Sequence, residues 1–173
     1  MISTEDVLRS IRDSLTAIIA PRFFDTERGY QGALLGHIEG RLQLPDYAIV
    51  EQEYQKQAGL HGLTIRPDII IHEPFDSERH CARTDGNLAV VELKLRAKPD
   101  EALGDFQSIR LMLDTLHYPI GVFINIGSTL TYAEFLPEHV RERVVCFAVV
   151  LVNGAVQLTE GGAYRRPVAR ATR

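Results

Sequence analysis

Two short segments place charged side chains inside sequences that otherwise read as buried β-strands. In the first, Asp68 precedes three consecutive isoleucines. In the second, Glu92 and Lys94 alternate with valine and leucine. An unpaired carboxylate or ammonium in an apolar layer costs several kcal/mol, so a fold tolerates such groups most easily when they face one another or a metal ion. The sequence therefore predicts that Asp68, Glu92 and Lys94 form one site.

The spacing of these residues also favours a common site, because residues i and i+2 of a strand project from the same face. Glu92 and Lys94 therefore point the same way. The strands predicted over residues 64–72 and 88–95 are separated by a polar loop that ends in an Asp-Gly turn signal. We expect them to pair as an antiparallel hairpin, which places Asp68 opposite the other two side chains.

This group of side chains suits a magnesium ion. Two adjacent carboxylates repel, so one takes up a proton unless a cation lies between them. Mg²⁺ takes oxygen ligands, keeps several waters and needs only one or two protein carboxylates beside a substrate phosphate. We expect Asp68 and Glu92 as metal ligands, the Leu93 carbonyl as a further ligand, and Mn²⁺ as a candidate substitute for Mg²⁺.

Besides two metal-binding carboxylates, such a site needs a positively charged side chain, which Lys94 supplies. Beside two carboxylates it stays protonated, so it can position an attacking water and stabilise charge that builds on a phosphate. These parts together predict metal-assisted hydrolysis of a phosphodiester. The plain alternative is a salt bridge at a strand end, because Glu-x-Lys occurs by chance in roughly every second chain of this size.

The remaining pattern predicts an α/β protein with a mixed sheet flanked by helices. Apolar residues at helical spacing predict three helices: one capped by Ser3 or Thr4 that ends before Pro21, one from Asp25 or Thr26 to about Leu42, and one from Lys98 that Pro119 stops. A fourth helix is predicted over residues 132–143, interrupted by Pro137. Further strands are predicted over residues 47–55, 120–126, 144–152 and 155–158.

The motifs and their order resemble the PD-(D/E)xK nuclease superfamily, whose restriction-endonuclease-like core runs αβββαβ. The Pro-Asp of that family falls on Pro67-Asp68, and its Glu-x-Lys on Glu92-Leu93-Lys94. The chain is similar to small, stand-alone and mostly uncharacterised bacterial members. The resemblance implies one nuclease domain over residues 1–173, with its core in residues 25–126. Residues 1–24 are then a helical extension, and residues 127–173 add a helix, strands and a basic tail.

The resemblance implies further site residues. Many members carry an acid on the first core helix, for which Glu27 is the best match and Glu39 the second. Members often carry a glutamine or a basic residue on the helix after the Glu-x-Lys strand, where Gln107 is the nearest candidate, followed by Arg110. The implied activity is that of a Mg²⁺-dependent nuclease, with DNA favoured over RNA by analogy alone.

Three further side chains lie near the predicted site. Glu53, on the first strand, is either a site neighbour or, as we favour, a surface residue. His72 shares a face with Asp68 and is expected to cap the strand end rather than to contact substrate. A cleft lined by arginines such as Arg66 or Arg96 would indicate nucleic acid.

Charge favours one alternative to a nuclease. The net charge of −4 and the pI of about 5.9 argue against strong unspecific binding of nucleic acid. They favour a non-catalytic binding or assembly module that keeps the same fold. A hydrolase of a small phosphorylated molecule is a third option, against which the lack of a phosphate-binding glycine loop counts. Residues 165–173 hold four arginines and no acid, and a solvated tail is favoured there over phosphate contacts.

The sequence also predicts the cellular compartment of the protein. No apolar run reaches the roughly 18 residues of a membrane span, and two distant cysteines, Cys81 and Cys146, suit a reducing compartment. We therefore expect a cytoplasmic protein. The amphipathic N-terminal helix is expected to pack on its own domain, with a homodimer interface as the alternative.

Overall fold

A computed structural model describes residues 2–164. Its α-helices, α1 to α4, span Thr4–Ala17, Glu27–Glu39, Ala58–His61 and Pro99–Thr115. Its strands, β1 to β6, span Ile49–Gln52, Ile69–His72, Asn87–Leu95, Ile120–Ile126, Val144–Val152 and Ala155–Gly161. Short 3₁₀ segments lie at Pro21–Phe24, Ala133–Phe135 and Glu138–Arg143.

The strands form one six-stranded sheet in the order β1-β2-β3-β4-β5-β6. The first three strands are an antiparallel meander, β3, β4 and β5 run parallel, and β6 returns antiparallel to β5. The antiparallel pairing of β2 with β3 is the predicted hairpin, which is therefore confirmed. The prediction of an α/β protein with a mixed sheet flanked by helices is also confirmed.

Alternate residues of the central strands pack against different helices. Ile69 and Leu93 belong to the core that α1 and α2 cover, whereas Ile70 and Val90 belong to the core that α4 covers. Burying an aliphatic side chain of this size stabilises a fold by about 1.5–3 kcal/mol. The isoleucine run of β2 is apolar at every position because it is buried on both faces of the sheet.

Local capping determines where the first two long helices begin. At α1 the Ser3 hydroxyl accepts a hydrogen bond from the Asp6 N–H at 3.1 Å, and the Asp6 carboxylate accepts one from the Ser3 N–H at 3.2 Å. At α2 the Thr26 hydroxyl accepts a hydrogen bond from the Gly29 N–H at 3.1 Å. The Thr26 cap places Glu27 in the first turn of α2.

The N-terminal helix packs on its own domain, as predicted. Its apolar stripe, which includes Leu8, Ile11 and Leu15, is buried in the core that α2 and the sheet share. Arg12 on its outer side makes a two-pronged ion pair with Glu160 of β6, with both distances at 3.0 Å. The helix is thus part of the fold, and the homodimer alternative stays a prediction.

Four predicted elements differ from the structure. The helix expected over residues 132–143 is wrong, because Pro137 has no N–H to donate and separates two 3₁₀ segments. The strand expected over residues 64–72 begins only at Ile69, since Pro67 cannot donate to the sheet ladder. The first strand is shorter than residues 47–55, and the last strand runs past residue 158 to Gly161.

The predicted basic tail, residues 165–173, lies outside the described residues.

No helix within the described part of the chain is long and apolar enough to cross a membrane.

Candidate active site

A polar cleft of about 490 Å³ opens at the N-terminal end of β2, where β3 continues past it. The pairing of β2 with β3 ends at Ile69 opposite Val91, so the last residues of β3 have no strand beside them on that edge. The cleft is lined by residues of α2, β3, α4 and the connection between β1 and β2: Glu27, Arg28, Gln31, Glu53, Ile65, Arg66, Asp68, Glu92, Lys94, Asp105 and Ser108.

Carboxylates take the place of the missing strand at this edge. The N–H of Leu93 donates to Asp68 Oδ2 at 2.7 Å, and the N–H of Leu95 donates to Glu27 Oε2 at 3.0 Å. Two acids from different elements are thus fixed by the backbone of the strand that carries Glu92 and Lys94. The N–H and the C=O of one strand residue point to the same edge, so the Leu93 carbonyl also faces this side.

Asp68 is held at its own backbone as well. Its carbonyl oxygen accepts hydrogen bonds from Gln31 Nε2 at 2.8 Å and from the Glu53 N–H at 3.0 Å. Gln31 is buried on α2, one helical turn after Glu27, so one face of α2 supports both carboxylates. This arrangement makes Gln31 a positioning residue that the sequence analysis did not identify.

Asp68 and Glu92 form a coupled carboxyl pair. Their side chains share a hydrogen bond, and Glu92 is only 6% exposed. Burial raises the pKa of Asp68, and burial together with the charge of Asp68 raises the pKa of Glu92 well above its ordinary value. Two carboxyl groups this close retain one proton between them, on Glu92, unless a cation replaces it.

Lys94 is an ammonium surrounded by acids. Its Nζ lies 3.5 Å from Glu27 Oε1, and its side chain is 30% exposed. Burial lowers the pKa of Lys94, but the charges of Asp105, Glu27 and Asp68 more than offset this, and the pKa of Lys94 is raised overall. The side chain therefore stays positively charged. It can donate a hydrogen bond to a phosphate oxygen rather than act as a base.

Asp105 of α4 is a cleft residue that the sequence analysis missed. Its Oδ2 is buried without a hydrogen-bond partner among the described residues. Burial, more than the neighbouring charges, raises its pKa to about 7. A signal was present: Ala102, Phe106 and Ile109 form the buried face of α4, and position 105 lies on that face at helical spacing, so an acid there is anomalous.

The structure places Gln107 outside the cleft, which corrects the expectation for α4. Gln107 is exposed, because two residues along a helix correspond to about 200° of rotation, so it points away when Asp105 points inward. Arg110 does not line the cleft either and lies 3.9 Å from Asp114 in an ion pair. Of the two candidate acids on α2, Glu27 reaches the cleft, whereas Glu39 lies about 18 Å further along the helix axis.

Of the other residues that were predicted near the site, Glu53 and Arg66 line the cleft, whereas Arg96 and His72 do not. Glu53 lines the cleft and pairs with two arginines, Arg28 at 3.4 Å and Arg66 at 3.7 Å. Arg96 is not a lining residue. His72 lies at the opposite end of β2, where its Nε2 is 3.1 Å from a Glu51 carboxylate oxygen.

The donors at the cleft fit a hydrated magnesium ion. Within residues 2–164, no three His, Cys, Asp or Glu side chains are arranged as a group that could hold a metal by themselves. Mg²⁺ does not require such a cage, since one or two carboxylates with water and substrate oxygens suffice. Asp68 and Glu92 supply two carboxylates that now share a proton, the Leu93 carbonyl faces the same edge, and Asp105 Oδ2 has no partner.

Comparison with known proteins gives no match to a family model, to a curated protein or to a solved structure.

Proposed function

We propose that the protein is a metal-dependent nuclease that hydrolyses phosphodiester bonds, with DNA as its preferred substrate. The observation that carries this proposal is the convergence of Asp68, Glu92 and Lys94 at the edge of one cleft, with Glu27 beside them. Charged groups are rarely kept in the centre of a sheet without a function, because their desolvation is costly. The element order α2-β1-β2-β3-α4-β4, with the one-turn α3 between β1 and β2, supports the finer proposal of a restriction-endonuclease-like fold.

The proposed roles follow from position and charge. Asp68, Glu92 and the Leu93 carbonyl would hold a magnesium ion, which when bound polarises a phosphoryl oxygen and lowers the pKa of a water. Lys94 donates a hydrogen bond to the phosphate oxygen on which negative charge develops in the transition state. Glu27, 3.5 Å from Lys94 Nζ, holds that ammonium toward the carboxyl pair. Arg28 and Arg66 lie at the rim and can contact neighbouring phosphates.

One observation favours the alternative, a non-catalytic binding or assembly module. The cleft is lined by five acids and three bases, and both rim arginines already pair with Glu53. Without a cation such a cleft repels phosphate. The nuclease proposal therefore requires that divalent metal binds before or with the substrate, which makes metal dependence the decisive test.

The first experiment measures cleavage of labelled single- and double-stranded DNA and RNA with Mg²⁺, with Mn²⁺ or with EDTA. We expect DNA to be cut only when metal is present. We expect Lys94→Ala to lower the single-turnover rate by about 10²–10³-fold, because the variant lacks one donor that stabilises the charge of the transition state. Absence of cleavage on every substrate, together with no metal binding by calorimetry, would establish the binding-module alternative.

A second experiment tests Asp105. We expect Asp105→Asn to slow metal-dependent cleavage about 10- to 100-fold, the range typical of residues that support metal ligands. The reason is that its unpartnered Oδ2 faces the same cleft as the carboxyl pair. Gln107→Ala is the matched control, since this exposed residue lies on the same helix outside the cleft, and its rate should stay within about twofold. If Asp105→Asn and Gln107→Ala cleave at equal rates, Asp105 has no role in the reaction.

A further inference from the structure

A second cavity, of about 310 Å³, lies at the opposite end of β2 from the cleft. His72, at its wall, is four residues beyond Asp68, which corresponds to about 13 Å along a strand. The cavity is lined by β1, the connection from β1 to β2, the loop from β2 to β3 and the end of α4. None of its lining residues belongs to the proposed active site.

Lys56 is the unusual residue of this cavity. It is 4% exposed, and the one hydrogen bond that its ammonium makes within residues 2–164, from Nζ to Tyr118 Oη, is long at 3.4 Å. The Nζ lies 4.4 Å from the ring centroid of Tyr54 and 5.7 Å from that of Tyr118. Within residues 2–164, no carboxylate lies within ion-pair distance of Lys56. A buried ammonium in such surroundings lacks the anion that would normally compensate its desolvation.

Two acids line the cavity, and each contacts a histidine. Glu51 lies 3.1 Å from His72 Nε2, and Glu73 lies 3.1 Å from His80 Nε2. Arg83 also lines the cavity. Its guanidinium stacks 4.7 Å above the Phe75 ring, and it has no carboxylate within ion-pair distance in the described part of the chain. The cavity therefore combines two cations, Lys56 and Arg83, that make no ion pair within the described residues, with two carboxylates that each contact a histidine.

We propose that this cavity binds a small phosphate monoester, with its anionic group between Lys56 and Arg83. A phosphate monoester carries a charge of roughly −1.5 to −2 at neutral pH, which matches two cations better than a carboxylate does. Arginine binds phosphate oxygens through two parallel N–H donors and lysine binds as a point charge. His61 accepts a hydrogen bond from the Gln57 N–H at Nδ1, so its Nε2 carries the proton and is a further donor.

The size and the walls of the cavity limit the rest of the ligand. A volume of about 310 Å³ is at the lower end of the range for small-molecule sites, which suits a ligand no larger than one sugar and one flat ring with a phosphate. The rings of Tyr54 and Phe75 line the cavity and offer flat apolar surface to such a ring. The inference does not depend on the proposed nuclease activity.

The test is calorimetric titration of the full chain in EDTA with thymidine 5′-monophosphate and with inorganic phosphate. Thymidine and acetate serve as probes that lack the phosphate. We expect saturable one-to-one binding of the monophosphate, weaker binding of inorganic phosphate, and none of thymidine or acetate. EDTA removes divalent metal, so the titration does not report a metal-bridged complex at the active-site cleft.

The variants locate the binding. Lys56→Met and Arg83→Gln should each raise the dissociation constant at least about tenfold, while Arg79→Gln should not change it. Arg79 lies on the same loop as Arg83 but pairs with Asp76 at 3.0 Å and does not line the cavity. Because Arg83 is exposed, its variant tests the proposal even if Lys56→Met fails to fold. Absence of saturable binding, or binding weakened by Lys94→Ala and unchanged in both cavity variants, would overturn the proposal.

Discussion

Replacing Glu92 with glutamine is expected to abolish cleavage and to stabilise the folded protein. Glutamine keeps the size of the side chain and can hydrogen-bond to Asp68, but it cannot serve as an anionic metal ligand. We expect the single-turnover rate to fall by at least about 10³-fold, which corresponds to about 4 kcal/mol of transition-state stabilisation. The free energy of unfolding should rise by about 2 kcal/mol at pH 8 without metal, because glutamine avoids the cost of a buried carboxyl group that must either take up a proton or carry a charge.

The gain in stability should depend on pH in a defined direction. The pKa of Glu92 is raised in the folded state, first by burial and then by the charges of Asp68 and Asp105. Below the ordinary glutamate pKa of 4.5, the residue is protonated in both the folded and the unfolded state, and the two proteins should be similar in stability. As the pH rises from there toward the raised pKa, the unfolded wild type ionises Glu92 while the folded protein still holds the proton, so the wild type alone must take up a proton to fold. The advantage of the variant therefore grows over this window and then stays constant.

Urea unfolding of wild type and Glu92→Gln between pH 4 and pH 9, in EDTA, measures this difference. Glu53→Gln is the control, since Glu53 lines the same cleft at its rim, with a side chain that is 32% exposed and paired. It should change stability by no more than about 0.5–1 kcal/mol. Mg²⁺ should raise the melting temperature of the wild type and not that of Glu92→Gln. A variant that is less stable than the wild type at every pH would show that Glu92 has a structural role.

Much of the fold and part of the site could be predicted because the signals are local. The caps at Ser3 and Thr26 act within one turn of the helix, so they mark helix starts in sequence and in structure alike. Charges at Asp68, Glu92 and Lys94 stand out because strands are short and side chains alternate between two faces. An anomalous residue in such a run can be recognised without knowing what packs against it.

Other residues could not be placed because their position depends on tertiary packing. On a helix each residue rotates the side chain by about 100°, so the two steps from Asp105 to the predicted Gln107 place these side chains on nearly opposite sides of α4. Lys56 lies in a polar connection without periodicity, where a lysine is normally exposed. It is buried because Tyr118, 62 residues later in the chain, packs over it, and no pattern in the sequence near Lys56 indicates this contact.

Lys56→Met is expected to make the protein more stable, in contrast to the usual effect of a core substitution. Burial lowers the pKa of Lys56 to about 8 from an ordinary 10.5, and the charge of Glu51 offsets only part of this effect. This difference corresponds to a cost of roughly 3 kcal/mol for keeping the ammonium in the folded protein. Methionine fills a similar volume without a charge. After the loss of the contacts with Tyr54 and Tyr118, we expect a net gain of about 1–2 kcal/mol at pH 7.

The sign of the pH dependence separates this explanation from better packing alone. Below pH 8, Lys56 is protonated in both the folded and the unfolded protein, so the full cost is present. Between pH 8 and about 10.5, the folded protein loses the proton before the unfolded chain does, and the wild type regains stability relative to Lys56→Met. The advantage of the variant should therefore shrink across this window. Lys98→Met, at an exposed lysine, should show neither the gain nor the pH dependence.

A stability gain at position 56 would also bear on why the lysine is present. A buried cation that weakens the fold is retained only if it contributes elsewhere, and the cavity beside Lys56 offers binding of a phosphate as that contribution. Thymidine 5′-monophosphate should then raise the melting temperature of the wild type and not of Lys56→Met, because only a state that binds the ligand is stabilised by it. If Lys56→Met instead destabilises the protein by more than about 1 kcal/mol, its contacts with Tyr54 and Tyr118 are structural and explain the lysine without a ligand.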